Sequence, residues 1–95
     1  MKIKDNRKVA VDVYVGAQSA TFTVLHPGGQ KELLTLKRGE RILWLPIGSY
    51  FRTAPVGNVV IGGATLDDVK ITNFDSLGSI WYILKEGVHY YVELT

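Results

Sequence analysis

Trp81-Tyr82-Ile83-Leu84, then Lys85-Glu86-Gly87, then Val88-His89-Tyr90-Tyr91-Val92-Glu93-Leu94 is the stretch that decides the fold class. Successive side chains of a strand point to opposite faces of a sheet. Two short apolar runs around a glycine, with no helical period between them, read as a pair of strands. With Glu86-Gly87 as a two-residue hairpin loop, the glycine supplying positive φ, Leu84 faces His89, Ile83 faces Tyr90 and Tyr82 faces Tyr91. One face then carries Trp81, Ile83, Tyr90 and Val92 and forms the core side. The other carries Ile80, Tyr82, Leu84, His89, Tyr91 and Glu93, centred on a Tyr82–Tyr91 pair worth up to about 1 kcal/mol. A small domain has one core, so bulk on the second face calls for a partner.

The same pattern recurs upstream. With Arg38-Gly39 as a turn, Leu33, Thr35, Ile42 and Trp44 share one face. Glu32, Leu34, Leu36, Arg41, Leu43 and Leu45 share the other. Neither face is polar enough for water. Turn signals return about every eight to twelve residues, at His26-Pro27-Gly28-Gly29, Lys37-Arg38-Gly39-Glu40, Pro55-Val56-Gly57-Asn58, Gly62-Gly63 and Asp75-Ser76-Leu77-Gly78. Strands are expected at about 9–15, 20–25, 31–36, 41–45, 49–54, 58–62, 68–74, 79–84 and 88–94. The fold expected is all-β: one domain over 1–95, a small antiparallel sandwich or barrel of about eight or nine short strands. The rhythm of strand, glycine turn and aromatic strand is loosely similar to immunoglobulin-like and prealbumin-like sandwiches, a resemblance that assigns no functional residue.

Two segments also echo each other at an offset of 47 to 48 residues. Val13-Tyr14-Val15-Gly16-Ala17 resembles Val60-Ile61-Gly62-Gly63-Ala64, and Leu36-Lys37-Arg38-Gly39 resembles Leu84-Lys85-Glu86-Gly87. Two similar halves covering each other's apolar faces would give such a pattern.

Composition narrows the function. Hydrophobic residues make up 46% of the 95 and charged residues 21%, which argues against disorder. No apolar run reaches the length of a membrane span, and the opening Met1-Lys2-Ile3-Lys4-Asp5-Asn6-Arg7-Lys8 is too polar for a signal peptide. Residues 1–8 read as a basic, solvated N-terminal segment. The net charge of +2 is too mild and scattered for a nucleic-acid stripe, so nucleic acid is not the expected partner. The absence of cysteine excludes disulfides, thiolate nucleophiles and zinc-thiolate sites.

No catalytic pattern appears. The two histidines, His26 and His89, lie far apart, and no serine sits in a glycine-framed nucleophile elbow. The adjacent pair Asp67-Asp68 points to opposite faces on a strand, and in a turn would join a calcium site only with further oxygen ligands. The glycines precede no helix that could cradle phosphate. No metal or cofactor is expected, and the chain reads as a non-enzyme.

What remains is surface. Tyr82, Tyr91, His89 and Leu43 on the outward hairpin faces, with Tyr50, Phe51 and Arg52 after the Pro46 turn, are the residues expected to form an interaction surface. Burying one Leu or Tyr contributes roughly 1.5–3 kcal/mol, so a few such side chains support association. The reading is a protein–protein assembly module binding itself or another protein, such as a virion structural or adaptor component. Two alternatives use the same residues. Exposed aromatics can stack on glycan rings or single-stranded bases, and the surface can mask a target protein as an inhibitor.

Overall fold

Lys8–Leu25 runs as a single strand, β1, of 18 residues. At about 3.3 Å per residue a straight strand of that length would span about 59 Å. The longest dimension of the molecule is 46 Å, so β1 has to bend. The computed structural model describes residues 7–54, 57–72, 74 and 79–94. The turns expected at Pro55-Val56 and Asp75–Gly78, and the basic residues Lys2 and Lys4, lie outside the described residues.

The bend has a local cause. After a tight turn closed by the His26 amide on the Gln30 carbonyl and the Gly29 amide on the His26 carbonyl, both at 2.8 Å, β2 (Lys31–Pro46) returns antiparallel along β1. The register runs from Lys8 opposite Pro46 to Val15 opposite Gly39, then resumes at Ser19 opposite Lys37. Gly16, Ala17 and Gln18 therefore face Arg38 alone, a bulge that bends and twists the ribbon. Gly39 takes φ of 132° there, a conformation that side chains disfavour. The bulge also reverses the alternation. Val9, Val11, Val13 and Val15 point inward before it, and Phe22 and Val24 after it.

The bent ribbon presents one long edge to two different neighbours. Its first half pairs in parallel with β7 (His89–Leu94), which pairs antiparallel with β4 (Gly57–Gly62). Its second half pairs antiparallel with β3 (Tyr50–Ala54). Beyond β3 lie β6 (Trp81–Ile83) and the two-residue β5 (Lys70–Ile71). One sheet thus has two wings that share the β1–β2 ribbon and curl around a common core.

The core joins the wings. Phe51 of β3 stacks on Phe22 at 5.3 Å and Tyr82 at 5.2 Å, and meets Tyr90 of β7 edge-on at 5.8 Å. The four inward valines of β1, with Val92 and Leu94, line the first wing's inner side. Each side chain of this size contributes roughly 1.5–3 kcal/mol on full burial.

The all-β expectation holds, in one mixed sheet built around two long strands. Two local expectations change. Arg38-Gly39 lies within the continuous β2 and is not a hairpin turn. Strands β6 and β7 do not pair with each other, so there is no Tyr82–Tyr91 pair. Leu84 and Val88 are buried, and Leu84 is tied through its amide to the Ser49 carbonyl and through its carbonyl to the Gly48 amide, both at 2.9 Å. The Leu84–Val88 segment is thereby drawn across the core from one wing to the other. The inward side of β6 consequently holds Tyr82 rather than Trp81.

One of the echoing pairs adopts two different structures. Leu36–Gly39 is strand, whereas Leu84–Gly87 is a loop. The strand expected at 68–74 begins instead with a short helix, α1 (Leu66–Val69), before β5. Thr65 caps it: the Thr65 hydroxyl and amide both donate to the Asp68 carboxylate, at 2.8 and 3.0 Å.

Candidate functional site

The valines of β1 fix which side chains face outward. With Val9, Val11, Val13 and Val15 inside, Asp12 and Tyr14 must lie on the outer face of the first wing. Register then aligns a rung across four strands. Ile42 of β2 stands opposite Asp12, Asp12 beside Tyr91 of β7, and Tyr91 opposite Val60 of β4. At a strand spacing near 4.8 Å this rung spans about 14 Å. Its large members are exposed: Ile42 by 55%, Tyr91 by 57% and Val60 by 63%. Trp44, 61% exposed, flanks Ile42 on the same face, opposite Ala10.

The next rung is different in character. Glu40 opposes Tyr14, Tyr14 lies beside Glu93, and Glu93 opposes Asn58. A mostly apolar strip, interrupted by Asp12, and an acidic strip therefore run side by side. Two open hollows flank Tyr14 and Tyr91. The larger, about 420 Å³, is also bordered by Asp12, Glu40 and Arg41. The smaller, about 140 Å³, is bordered by Asn58, Val60 and Glu93.

On the outer face of the second wing, β3 and β6 are covered by the chain itself, while Leu33 of β2 stays 64% exposed. Tyr50 packs on Phe74 at 4.8 Å, and Phe74 on Trp81 at 5.4 Å. The Arg52 guanidinium lies 5.2 Å from the Trp81 ring centre and donates to the Ser79 hydroxyl at 3.2 Å. The aromatic-plus-cation contact is thus made within the protein.

The residues singled out from sequence separate accordingly. Tyr91 and His89 lie exposed on the outer face of the first wing, His89 beside Gly62. Tyr50 and Arg52 are half-buried in the cluster just described. Leu43 points inward against the core and is half-buried. Phe51 is fully buried and Tyr82 is 8% exposed, so neither belongs to a surface. Both corrections follow from β6 pairing with β3, which sets Phe51 opposite Tyr82 on the inner side. Tyr14 and Val60 escaped the sequence reading, although the four alternating valines around Tyr14 were a signal for its outward position.

The chemistry available is sparse. Among the described residues no three His, Asp or Glu side chains are placed to hold a metal ion. His26 bonds to Glu32 at 2.9 Å near the β1–β2 turn, far along the ribbon from the rungs. The Ser49 hydroxyl is buried and has no hydrogen-bond partner among the described residues. Burial raises the Tyr82 and Tyr90 phenols above 10.0, and both lie in the core. Thr65 holds the Asp68 carboxyl below its usual value, as a helix cap does. Arg7 pairs with Glu86 at 2.6 Å between two exposed side chains. Among the described residues no helix is long and apolar enough to cross a membrane. Comparison with protein-family models, with curated proteins and with solved structures gave no match.

Proposed function

We propose that this chain is a non-enzymatic protein–protein assembly module that engages protein through the outer face of its first wing. The observation that carries this reading is the rung of Ile42, Tyr91 and Val60 with Trp44 beside it, large apolar side chains left in solvent on one continuous face. Clustered apolar exposure of this kind is what distinguishes an interaction surface from scattered exposed residues. Aromatic anchors with a polar border are the usual anatomy of such a contact, and the acidic strip of Glu40 and Glu93 supplies that border. A structural or adaptor role in a larger assembly, such as a virion, is the use this surface suits. The test is the solution mass across protein concentration for the wild type and for Tyr91→Ala, a change at an exposed site.

A second reading has an observation of its own. The larger hollow brings Tyr14 and Tyr91 together with Asp12 and Glu40, aromatic surface and carboxylates that suit a sugar ring and its hydroxyls. The same carboxylates disfavour phosphate-bearing ligands. Loss of glycan binding in Tyr91→Ala, with association between copies unchanged, would favour this reading over assembly.

A further inference from the structure

Strand β2 spends all sixteen of its residues as an edge: along its whole length it pairs with β1 and with no other strand of the described residues. It carries three of the large exposed apolar side chains, Leu33, Ile42 and Trp44. An edge this long is normally guarded or paired. The pattern along it is symmetric about its centre. Leu33, Thr35 and Lys37 face outward on one side of the bend, and Glu40, Ile42 and Trp44 on the other. Leu34 and Leu36 face inward before it, Leu43 and Leu45 after it. This symmetry is what makes Lys31–Pro46 look like a hairpin in sequence, and within the single chain it goes unused.

We infer that β2 is a homotypic pairing edge, to which the β2 of a second copy adds antiparallel about a twofold axis between Arg38 and Gly39. The inference rests on the reading of the chain as an assembly module and names its partner. In this register Lys37 stands opposite the partner's Glu40 and Glu40 opposite the partner's Lys37. Leu33 meets the partner's Trp44, and Thr35 the partner's Ile42. On the inward side Leu34 meets the partner's Leu43, while Leu36 stands opposite the partner's Arg41 and Glu32 opposite the partner's Leu45. No like charges oppose each other anywhere along the strand.

Every neighbouring register is worse. Slipping by one residue sets Arg38 against the partner's Arg38, or Lys37 against the partner's Arg41, and sets outward residues against inward ones. Slipping by two sets Lys37 against the partner's Arg38, or Arg38 against the partner's Arg41. The charges that would guard an edge in those registers select the central one. The bend falls on the axis, so both copies curve in the same sense and the sheet continues across the contact. Pro46, which has no amide to donate, sits at the strand's end, where it interrupts no central rung. Arg41 bonds back to the Lys37 carbonyl, and a carbonyl keeps a second lone pair for a ladder bond.

The test is a charge exchange read by sedimentation velocity. Lys37→Glu opposes acidic side chains at both central pairs, and Glu40→Lys opposes basic ones. Each alone should weaken self-association by about tenfold or more. An equimolar mixture of the two variants should recover it as a heterodimer, as should the double variant Lys37→Glu/Glu40→Lys. Both positions are exposed, and recovery on mixing shows in addition that each variant is folded. Self-association unchanged in the single variants, or not recovered on mixing, overturns the pairing. Association that ignores these changes but is lost in Tyr91→Ala overturns the edge while upholding the outer-face reading. A wild type that stays monomeric overturns the edge outright.

Discussion

Phe51 and Tyr90 meet edge to face across the middle of the molecule, ring centroids 5.8 Å apart and planes at 83°. They come from β3 and β7, strands that follow one another along the same edge of β1 but belong to different wings. Their contact is where the curled sheet closes on itself. Edge-to-face pairs contribute about 0.5–1.5 kcal/mol beyond the area they bury, and Phe51 also stacks on Phe22 and Tyr82. Replacing Phe51 with alanine should therefore cost about 3–5 kcal/mol and leave the chain largely unfolded in a urea titration. A loss below about 1 kcal/mol would mean that the wings do not close on this ring.

The Tyr90 hydroxyl holds the loop that crosses the core. It donates to the Ile83 carbonyl and accepts from the Lys85 amide, both at 2.8 Å. Tyr90→Phe keeps the ring and strands both backbone groups in a part-buried position, so the expected loss is about 1–3 kcal/mol. Chemical denaturation at neutral pH measures it.

Alkaline stability should report the buried phenols. Desolvation raises Tyr82 and Tyr90 above 10.0, and for Tyr90 the Lys85 amide partly opposes the rise. A phenol with a raised pKa keeps its proton in the folded chain after the unfolded chain has lost its own. The stability it contributes is complete below about pH 10 and is lost as pH rises through the folded values. Melting temperature should fall above that pH, and Tyr82→Phe should flatten the fall. An unchanged slope in Tyr82→Phe would show that this phenol is not desolvated.

Gly63 is fixed by space as well as by backbone angle. It has φ of 86°, and an added Cβ would lie 2.6 Å from the Gly87 carbonyl oxygen. The left-handed conformation alone costs a side chain about 1–2 kcal/mol, and here the carbonyl must also move. Gly63→Ala should destabilise by about 2 kcal/mol or more. Thermal unfolding of this variant checks the packing of the turn after β4 on the turn before β7.

Ser49 offers the opposite sign. Its hydroxyl is fully buried without a hydrogen-bond partner among the described residues, and an unsatisfied buried hydroxyl is a cost. Ser49→Ala should hold stability or raise it by about 1 kcal/mol. A clear loss would show that the hydroxyl is satisfied in solution.

The sequence was legible where alternation is strict. Val9, Val11, Val13 and Val15, and then Tyr90, Val92 and Leu94, declare the inner face of the first wing, and Tyr91 and His89 fall outside as their spacing requires. It was misleading at glycines. Gly39 can turn a chain or bend a strand with the same positive φ, and only the long-range pairing with β1 decides between them. The Glu86-Gly87 turn exists, but the burial of Leu84 and Val88 carries the chain across the core there. Tyr82 changes face with that choice, since a strand's parity depends on its partner. The exposed rung was invisible for a related reason. Ile42, Asp12, Tyr91 and Val60 come from four strands, and no local pattern announces that they align.

The most direct measurement is light scattering behind a sizing column, over a wide range of protein concentration, on the wild type and on Tyr91→Ala. If the exposed face assembles, the wild type should show a mass that rises with concentration to a defined oligomer, and Tyr91→Ala should shift that rise to higher concentration while melting at the same temperature. A wild type that keeps the 10.6 kDa mass of a single chain at every concentration would contradict self-assembly through this surface.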